Sequence, residues 1–310
     1  MRDVTIRSLA VALALVLAAG PWLPQWALSL LTISLGKGLV VLGLLLLMRT
    51  GLVSFGQGLY YCLGAYAAGV LAQWTGLYDA VAMLVFSAIV SVLVASVLGL
   101  LLASYRGIFF AMLSLAFSMI LYGLLIKMPA FGSSDGFNVV ARTMLGIELA
   151  GKGGYAVLAL AAVSACAAAM ALHRYLGSHL GSLAPAIRDN ELRVEYMGAS
   201  VRGAVHLNYA IAALLAGMGG GVTALSVGHI DPEMAYWTTS GEFVFVAILS
   251  GTGSVAAPLA GSILFEWLRS YAYQYSPNTW QMVLGAAMLL IIMFLPAGLW
   301  SVLARRNKGA

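Results

Sequence analysis

Apolar runs long enough to cross a bilayer follow one another along almost the whole chain, and that pattern constrains the fold more than any single motif. A span needs about 20 mainly apolar residues, fewer where neighbours shelter an interrupted helix. Ten such runs are read, at residues 8–23, 27–48, 52–73, 80–103, 108–126, 155–173, 207–227, 241–253, 257–275 and 280–302, the first and eighth being short. Charged residues make up only 9% of the chain, against about 25% in an ordinary soluble domain, so this is not one anchor on a soluble body. The expectation is an all-α, polytopic helix bundle forming a single transmembrane domain over 1–310. Arg2 and Arg7 ahead of an apolar run ending Ala18-Ala19-Gly20 also fit a signal peptide. Pro21 and Pro24 suit a tight connection after that run.

Counting basic residues orients the spans. With the N-terminus inside, the cytoplasmic segments hold Arg2, Arg7, Arg49, Arg106, Arg174, Arg188, Arg193, Arg202, Arg305, Arg306 and Lys308. The outer segments hold Lys127, Arg142 and Lys152, so the bias is strongly positive-inside and both termini are expected in the cytoplasm. Trp22, Trp26, Trp74, Tyr78, Tyr155, Trp237, Tyr273, Tyr275 and Trp280 fall near the outer interface, as aromatic belts do. Spans two to five and seven to ten then run in opposite directions, which permits an inverted repeat. The third and eighth spans occupy matching positions and are rich in glycine, around Gly51–Gly58 and Ser250–Ser254. Interrupted helices at such positions point to a transport pathway, with Ser54, Gly56, Gln57, Gly58, Gly251 and Gly253 as candidates. Close packing through small residues is the alternative.

One stretch breaks the apolar rhythm. Residues 174–206 carry seven of the 27 charged residues and lie, on this topology, in the cytoplasm. From Ala186 onward, Ile187, Val194 and Met197 recur near helical spacing, with Arg188, Asp189, Glu191, Arg193 and Glu195 on the other faces. Asn190 or Asp189 suits a cap and Gly198 a stop. A short amphipathic helix of this kind fits a groove on a soluble partner. Lying in the lipid headgroups is the other reading, and three acids beside the inner leaflet argue against it.

Charges inside the spans are the remaining anomaly. Lys37 is central in the second span, and Glu266 in the ninth with Arg269 a turn away. Charges at that depth face partners or water-filled cavities. They read either as a network fixing helix positions, with Lys37 reaching Glu266 across the bundle, or as substrate contacts. Glu242, near the outer start of the eighth span, is read as solvated. The outer loops 127–154 and 228–240 are each read as solvated or as a docking surface. His173, His179 and His206 are read as boundary or loop residues, and the histidines show no metal-ligand spacing. Cys62 and Cys166 fall in apolar runs, as buried thiols rather than a disulfide or metal site. No basic run interleaves with aromatics, so nucleic acid is not an expected partner. No Ser/His, paired-Asp or His-Glu-x-x-His arrangement supports catalysis.

Four blocks resemble a known family, the permeases of branched-chain amino-acid ABC importers. They are Gly51-Leu-Val-Ser-Phe-Gly-Gln-Gly-Leu-Tyr-Tyr-Cys-Leu-Gly-Ala-Tyr66, then Gly107–Phe117 with Gly132-Ser-Ser-Asp-Gly136, then Ala186–Gly198, and Gly251-Thr-Gly-Ser-Val-Ala-Ala-Pro-Leu-Ala-Gly261. Together they cover most of residues 50–300. The chain departs from the family at Ser133, Ala184-Pro185, Arg193 and Val194. The resemblance implies a subunit of the bacterial-type inner membrane that moves branched-chain or related amino acids inward by alternating access. It implies as partners a second permease subunit, homologous or identical, two cytoplasmic ABC ATPase subunits and an extracytoplasmic substrate-binding protein, all within membrane lipid. It also implies that Ala186, Ile187, Arg188, Asp189, Glu191, Glu195 and Gly198 meet the ATPase. The same family handles urea, short amides and aromatic acids. No Gly-x-x-x-x-Gly-Lys-Ser/Thr occurs, so ATP and its magnesium belong on the partners and no cofactor is expected here. A stand-alone secondary transporter or channel is the reading from another class.

Overall fold

A computed structural model describes residues 2–141, 143–148, 153–275, 279–294 and 298–300. Arg142, Lys152, Arg305, Arg306, Lys308 and parts of the expected tenth span lie outside the described residues. Twelve α-helices are described: α1 (Arg2–Ala19), α2 (Gln25–Arg49), α3 (Gln57–Thr75), α4 (Ala80–Leu102), α5 (Gly107–Lys127), α6 (Gly153–Leu176), α7 (His179–Asp189), α8 (Glu191–Tyr196), α9 (Val201–Val227), α10 (Trp237–Ser250), α11 (Ala257–Tyr275) and α12 (Trp280–Phe294). Among them α2, α4, α5, α6 and α9 are long and apolar enough to cross a membrane.

The two central helices are α2 and α9. From Leu39 to Leu47 the apolar side chains of α2 are 0–1% exposed, the pattern of a helix surrounded by others. Its main neighbour is α9, which also packs on α3 and α4, while α2 also packs on α10 and α11. The pairs α3–α4, α3–α5 and α4–α5 are matched by α10–α11, α10–α12 and α11–α12, a correspondence that agrees with an internal repeat. α1 docks on α6, where Tyr155 Oη donates to Leu17 O at 3.1 Å and Leu9 is buried.

Small residues set the spacing. Along α9, Gly217, Gly219, Gly220 and Gly221 face Ser91 of α4, Gly36 of α2, Tyr61 O of α3 and Ser87 of α4, leaving no room for a Cβ. This run, which the sequence reading passed over for the glycines of the third and eighth spans, is where three helices approach α9 most closely. Interhelical contact of this kind replaces the hydrophobic drive that lipid does not supply. On α4 the buried stripe is Met83, Ser87, Ser91, Ala95, Gly99 and Leu102, and Ser87 Oγ donates to Gly64 O at 2.6 Å. The opposite face shows Val85, Ile89, Leu93, Val97 and Leu100 outward, suited to lipid.

Short connections close the two ends. Asp79 caps α4 by accepting from Val81 N and Ala82 N, and its other oxygen takes Gly146 N at 3.1 Å. Two-residue strands Phe137–Asn138 and His229–Ile230 pair antiparallel, so the two loops at this end, each read as solvated or docking, form one surface. His173 lies in α6 and His206 in α9, each with one ring nitrogen buried and unpartnered among the described residues, so neither is a loop residue. Cys62 and Cys166 are buried free thiols on α3 and α6.

Candidate functional site

The expected third span is not helical throughout. α2 ends in a Schellman turn, with Leu52 N on Leu47 O at 3.0 Å and Gly51 N on Met48 O at 3.1 Å. Gly51 takes φ +82°, which glycine adopts without Cβ strain. Residues 53–56 then run without helical hydrogen bonds, and serine hydroxyls take over two of their N–H groups. Phe55 N donates to Ser114 Oγ and Gly56 N to Ser54 Oγ, both at 3.2 Å. Non-helical backbone inside a bundle requires such internal partners. A Cβ on Gly56 would sit 2.7 Å from Ser114 O, so only glycine fits against α5.

The matching break in the second half lies before α10, not after it. Gly228 closes α9, and a 3-10 turn over Pro232–Ala235 leads into α10, with Ser118 Oγ donating to Ala235 O at 2.7 Å. The starts of α3 and α10 meet, since Gly58 N donates to Ser240 Oγ at 3.0 Å. Ser54 and Gln57 are both fully buried here. Gly251 and Gly253 lie elsewhere, so the six pathway candidates do not form one cluster. Gly251 ends α10 and lines a cavity of about 350 Å³ with Met48, Gly51, Val53 and Arg188, while Gly253 approaches Trp300. Ser114, Ser118 and Ser240 were not singled out from the sequence. Isolated serines in apolar runs are too common to signal a role, and only the breaks opposite them give them one.

A second group of contacts surrounds this cavity. Arg49 Nη2 and Nε donate to Thr252 O at 2.7 and 3.1 Å, tying the loop after α10 to α2. Arg188 packs its Cβ and Cγ against Gly51, the first residue of the break. The helix expected with Asn190 or Asp189 as its cap and Gly198 as its stop is the second of two, since α7 runs ahead of it from His179 to Asp189. Asn190, extended at φ −162° and ψ 102°, ends α7 and caps α8 by accepting from Arg193 N at 3.0 Å. The expected apolar stripe is also corrected. Ile187 and Val194 are 2% and 1% exposed against the chain's own bundle, but Met197 is 69% exposed. Asp189, Glu195 and Gly198 are exposed and Ala186 is half-buried. Glu191 is held by Arg106 Nε at 2.6 Å, which fixes α8 to the start of α5. What this hairpin offers outward is Leu180, Leu192, Tyr196 and Met197, with charges between them.

A third cluster sits midway along α2. Lys37 Nζ contacts Glu242 Oε1 at 2.6 Å and Glu266 Oε1 at 2.5 Å. Arg269 Nη1 lies 3.1 Å from Glu242 Oε1 and 3.6 Å from Glu266 Oε1. Glu242 is therefore paired, not solvated, because α10 starts below the end of the bundle and carries its sixth residue to the level of Lys37. Two cations and two carboxylates balance, which is how four charges become tolerable in an apolar interior. No group of His, Cys, Asp and Glu suited to a metal ion occurs among the described residues.

A polytopic bundle with two helices that begin in its interior and a polar hairpin at one end is the architecture of a membrane transport component. The chain belongs to the branched-chain amino acid transport system permease component family, which it matches over residues 26–293. It is similar to the high-affinity branched-chain amino acid transport system permease protein LivM of Escherichia coli (strain K12), at 27% identity over 296 residues, covering 88% of this chain and 68% of the relative. The LivM protein of Salmonella typhimurium is 25% identical over the same coverage. No solved structure matches the chain.

Proposed function

We propose that the chain is the membrane-spanning permease subunit of an ATP-driven importer of branched-chain or related amino acids, in a bacterial-type inner membrane. Family membership supports the transport role. The observation that carries the ATPase-driven part is the α7–α8 hairpin, anchored to its own bundle by Ile187, Val194 and the Arg106–Glu191 pair while presenting Leu180, Leu192, Tyr196 and Met197 outward. Such a piece moves as a unit with whatever docks on it. Through Arg188 it bears on Gly51, where the α3 break begins, and the cavity beside them separates that break from α10. Closure of two partner ATPases would shift the hairpin, and the contact with Gly51 would carry the shift to the interior starts of α3 and α10. Extracytoplasmic substrate-binding protein would deliver the solute to the paired loops at the opposite end, and a second permease subunit would complete the pathway.

Reconstitution tests this reading. The chain, co-purified with its second permease and ATPases, is expected to take up L-leucine into proteoliposomes only with ATP and loaded binding protein. Arg188→Glu should leave the subunit inserted and assembled but abolish stimulation of ATP hydrolysis by loaded binding protein. Undiminished transport by Arg188→Glu would remove residues 186–198 from the coupling role.

A further inference from the structure

α5 lies across both interior breaks, and its main neighbours are α3, α10, the Pro232–Ala235 turn and α4. Its buried residues are Phe110, Ser114, Ser118 and Leu125, which share one side of the helix. Ile108, Met112, Ile120 and Leu124 are exposed on the rest of its surface. Three successive turns of the covered side meet the breaks. Ser114 Oγ accepts from Phe55 N at 3.2 Å, on the break before α3. Ser118 Oγ donates to Ala235 O at 2.7 Å, in the turn before α10. Tyr122 then sets its ring 4.9 Å from that of Tyr236, the cap residue of α10.

The other end of α5 is tied to the hairpin. Arg106, its cap residue, donates to Glu191 of α8. An α-helix rises about 1.5 Å per residue, so Ser114 and Ser118 lie about 12 and 18 Å from Arg106 along one rigid rod. A shift of Arg106 therefore reaches both breaks. The grips also suit motion. Each sets a hydroxyl against backbone outside the regular α-helices, and Ser114 Oγ additionally donates to Ala111 O of its own helix at 2.9 Å. That second bond keeps the hydroxyl partnered when the contact with Phe55 opens.

We propose that α5 sets both interior helix starts at once, with Ser114 and Ser118 as positioning residues and the Arg106–Glu191 pair as its link to the hairpin. The inference rests on the importer reading and deepens its coupling. The Arg188–Gly51 contact bears on the α3 break alone, whereas α5 makes the starts of α3 and α10 move together.

The test uses the complete importer in proteoliposomes. It reads ATP-driven uptake of L-leucine, stimulation of ATP hydrolysis by loaded binding protein, and thermal unfolding of the same complex. Ser114→Ala combined with Ser118→Ala should lower uptake and stimulation together, about tenfold. The unfolding temperature should fall by no more than about 4 °C, because single interhelical hydrogen bonds contribute little to membrane bundles. Ser96→Ala is the control, since that hydroxyl bonds Val92 O within its own helix, and it should change none of the three. Glu191→Ala cuts the link at the far end of the same rod, so adding it to the serine pair should cause little further loss. Undiminished uptake in the serine pair overturns the proposal. So does a larger fall in unfolding temperature, which would make the serines structural supports. Losses that add fully to those of Glu191→Ala also overturn it, because the hairpin would then reach the breaks by another route. A wild-type complex that moves no L-leucine overturns the importer reading, and this role for α5 with it.

Discussion

Lys37 on α2 and Glu242 on α10, 205 residues apart in the chain, share a hydrogen bond of 2.6 Å in the middle of the bundle. With Glu266 and Arg269 they form a balanced set, so removing one member leaves an excess charge among side chains that are mostly buried, Arg269 being 36% exposed at a cavity it lines with Glu266. Lys37→Met strands two carboxylates beside one arginine and should cost about 3–5 kcal/mol. Lys37→Met combined with Glu266→Gln leaves Glu242 with Arg269 and should recover about 1–3 kcal/mol of that loss. Thermal unfolding of the single and double variants in detergent measures the coupling. Strictly additive losses would mean the four charges act independently.

The α3–α9 contact gives a second prediction, with a built-in control. A Cβ on Gly64 would collide with the backbone of Gly217, which a rigid helix pair cannot relieve. Gly64→Ala should therefore destabilise by about 1–3 kcal/mol. At Gly241 an added Cβ meets nothing within 4 Å, so Gly241→Ala should gain up to about 1 kcal/mol of helix propensity. Unfolding temperatures moving in the same direction for both would refute the packing argument.

The Arg106–Glu191 pair separates coupling from stability. Its side chains are 27% and 37% exposed, so the pair contributes under about 1 kcal/mol. Glu191→Ala should leave the melting temperature nearly unchanged while reducing ATPase stimulation by loaded binding protein, since α8 loses its tie to α5 while Arg106 keeps its bonds to Ala103 O and Tyr105 O. Undiminished stimulation in that variant would place the coupling elsewhere.

Asp79 supplies a pH dependence. Its slight burial pushes the carboxyl up, but the N–H groups of Ala82, Gly146, Val81 and Leu145 outweigh that and hold it below the ordinary carboxylate value. A depressed folded value means the stabilisation is complete above the unfolded carboxylate pKa and fades as pH falls through the folded one. Asp79→Ala should cost about 1 kcal/mol near neutral pH, chiefly as a lost helix cap. The difference from wild type should shrink in acid. A gap that is constant from neutral pH down into acid would show that the ionised carboxylate is not the capping form.

The sequence by itself determined where the long apolar helices run and that residues 174–206 form a separate polar unit. It left the glycine-rich stretch Gly51–Gly58 open between an interrupted helix and a close-packing face, which the structure decides as a break over 51–56. Hydropathy and backbone preference are local properties, summed over neighbours in the chain, so a run such as Leu39–Leu47 declares itself without a partner. Lys37, Glu266 and Arg269 stood out as costly charges for the same reason. Which of them meet was a tertiary matter. Glu242 joined them only because the 3-10 turn at Pro232–Ala235 starts α10 deep in the bundle, at the level of Lys37. Tertiary packing likewise turned Gly217–Gly221 into the seat of three neighbouring helices and gave Ser240 its place against Gly58. It also set Ile187 and Val194 against the chain's own core rather than outward. Contacts between residues more than a hundred positions apart depend on how helices cross, and no property of a single segment carries that information.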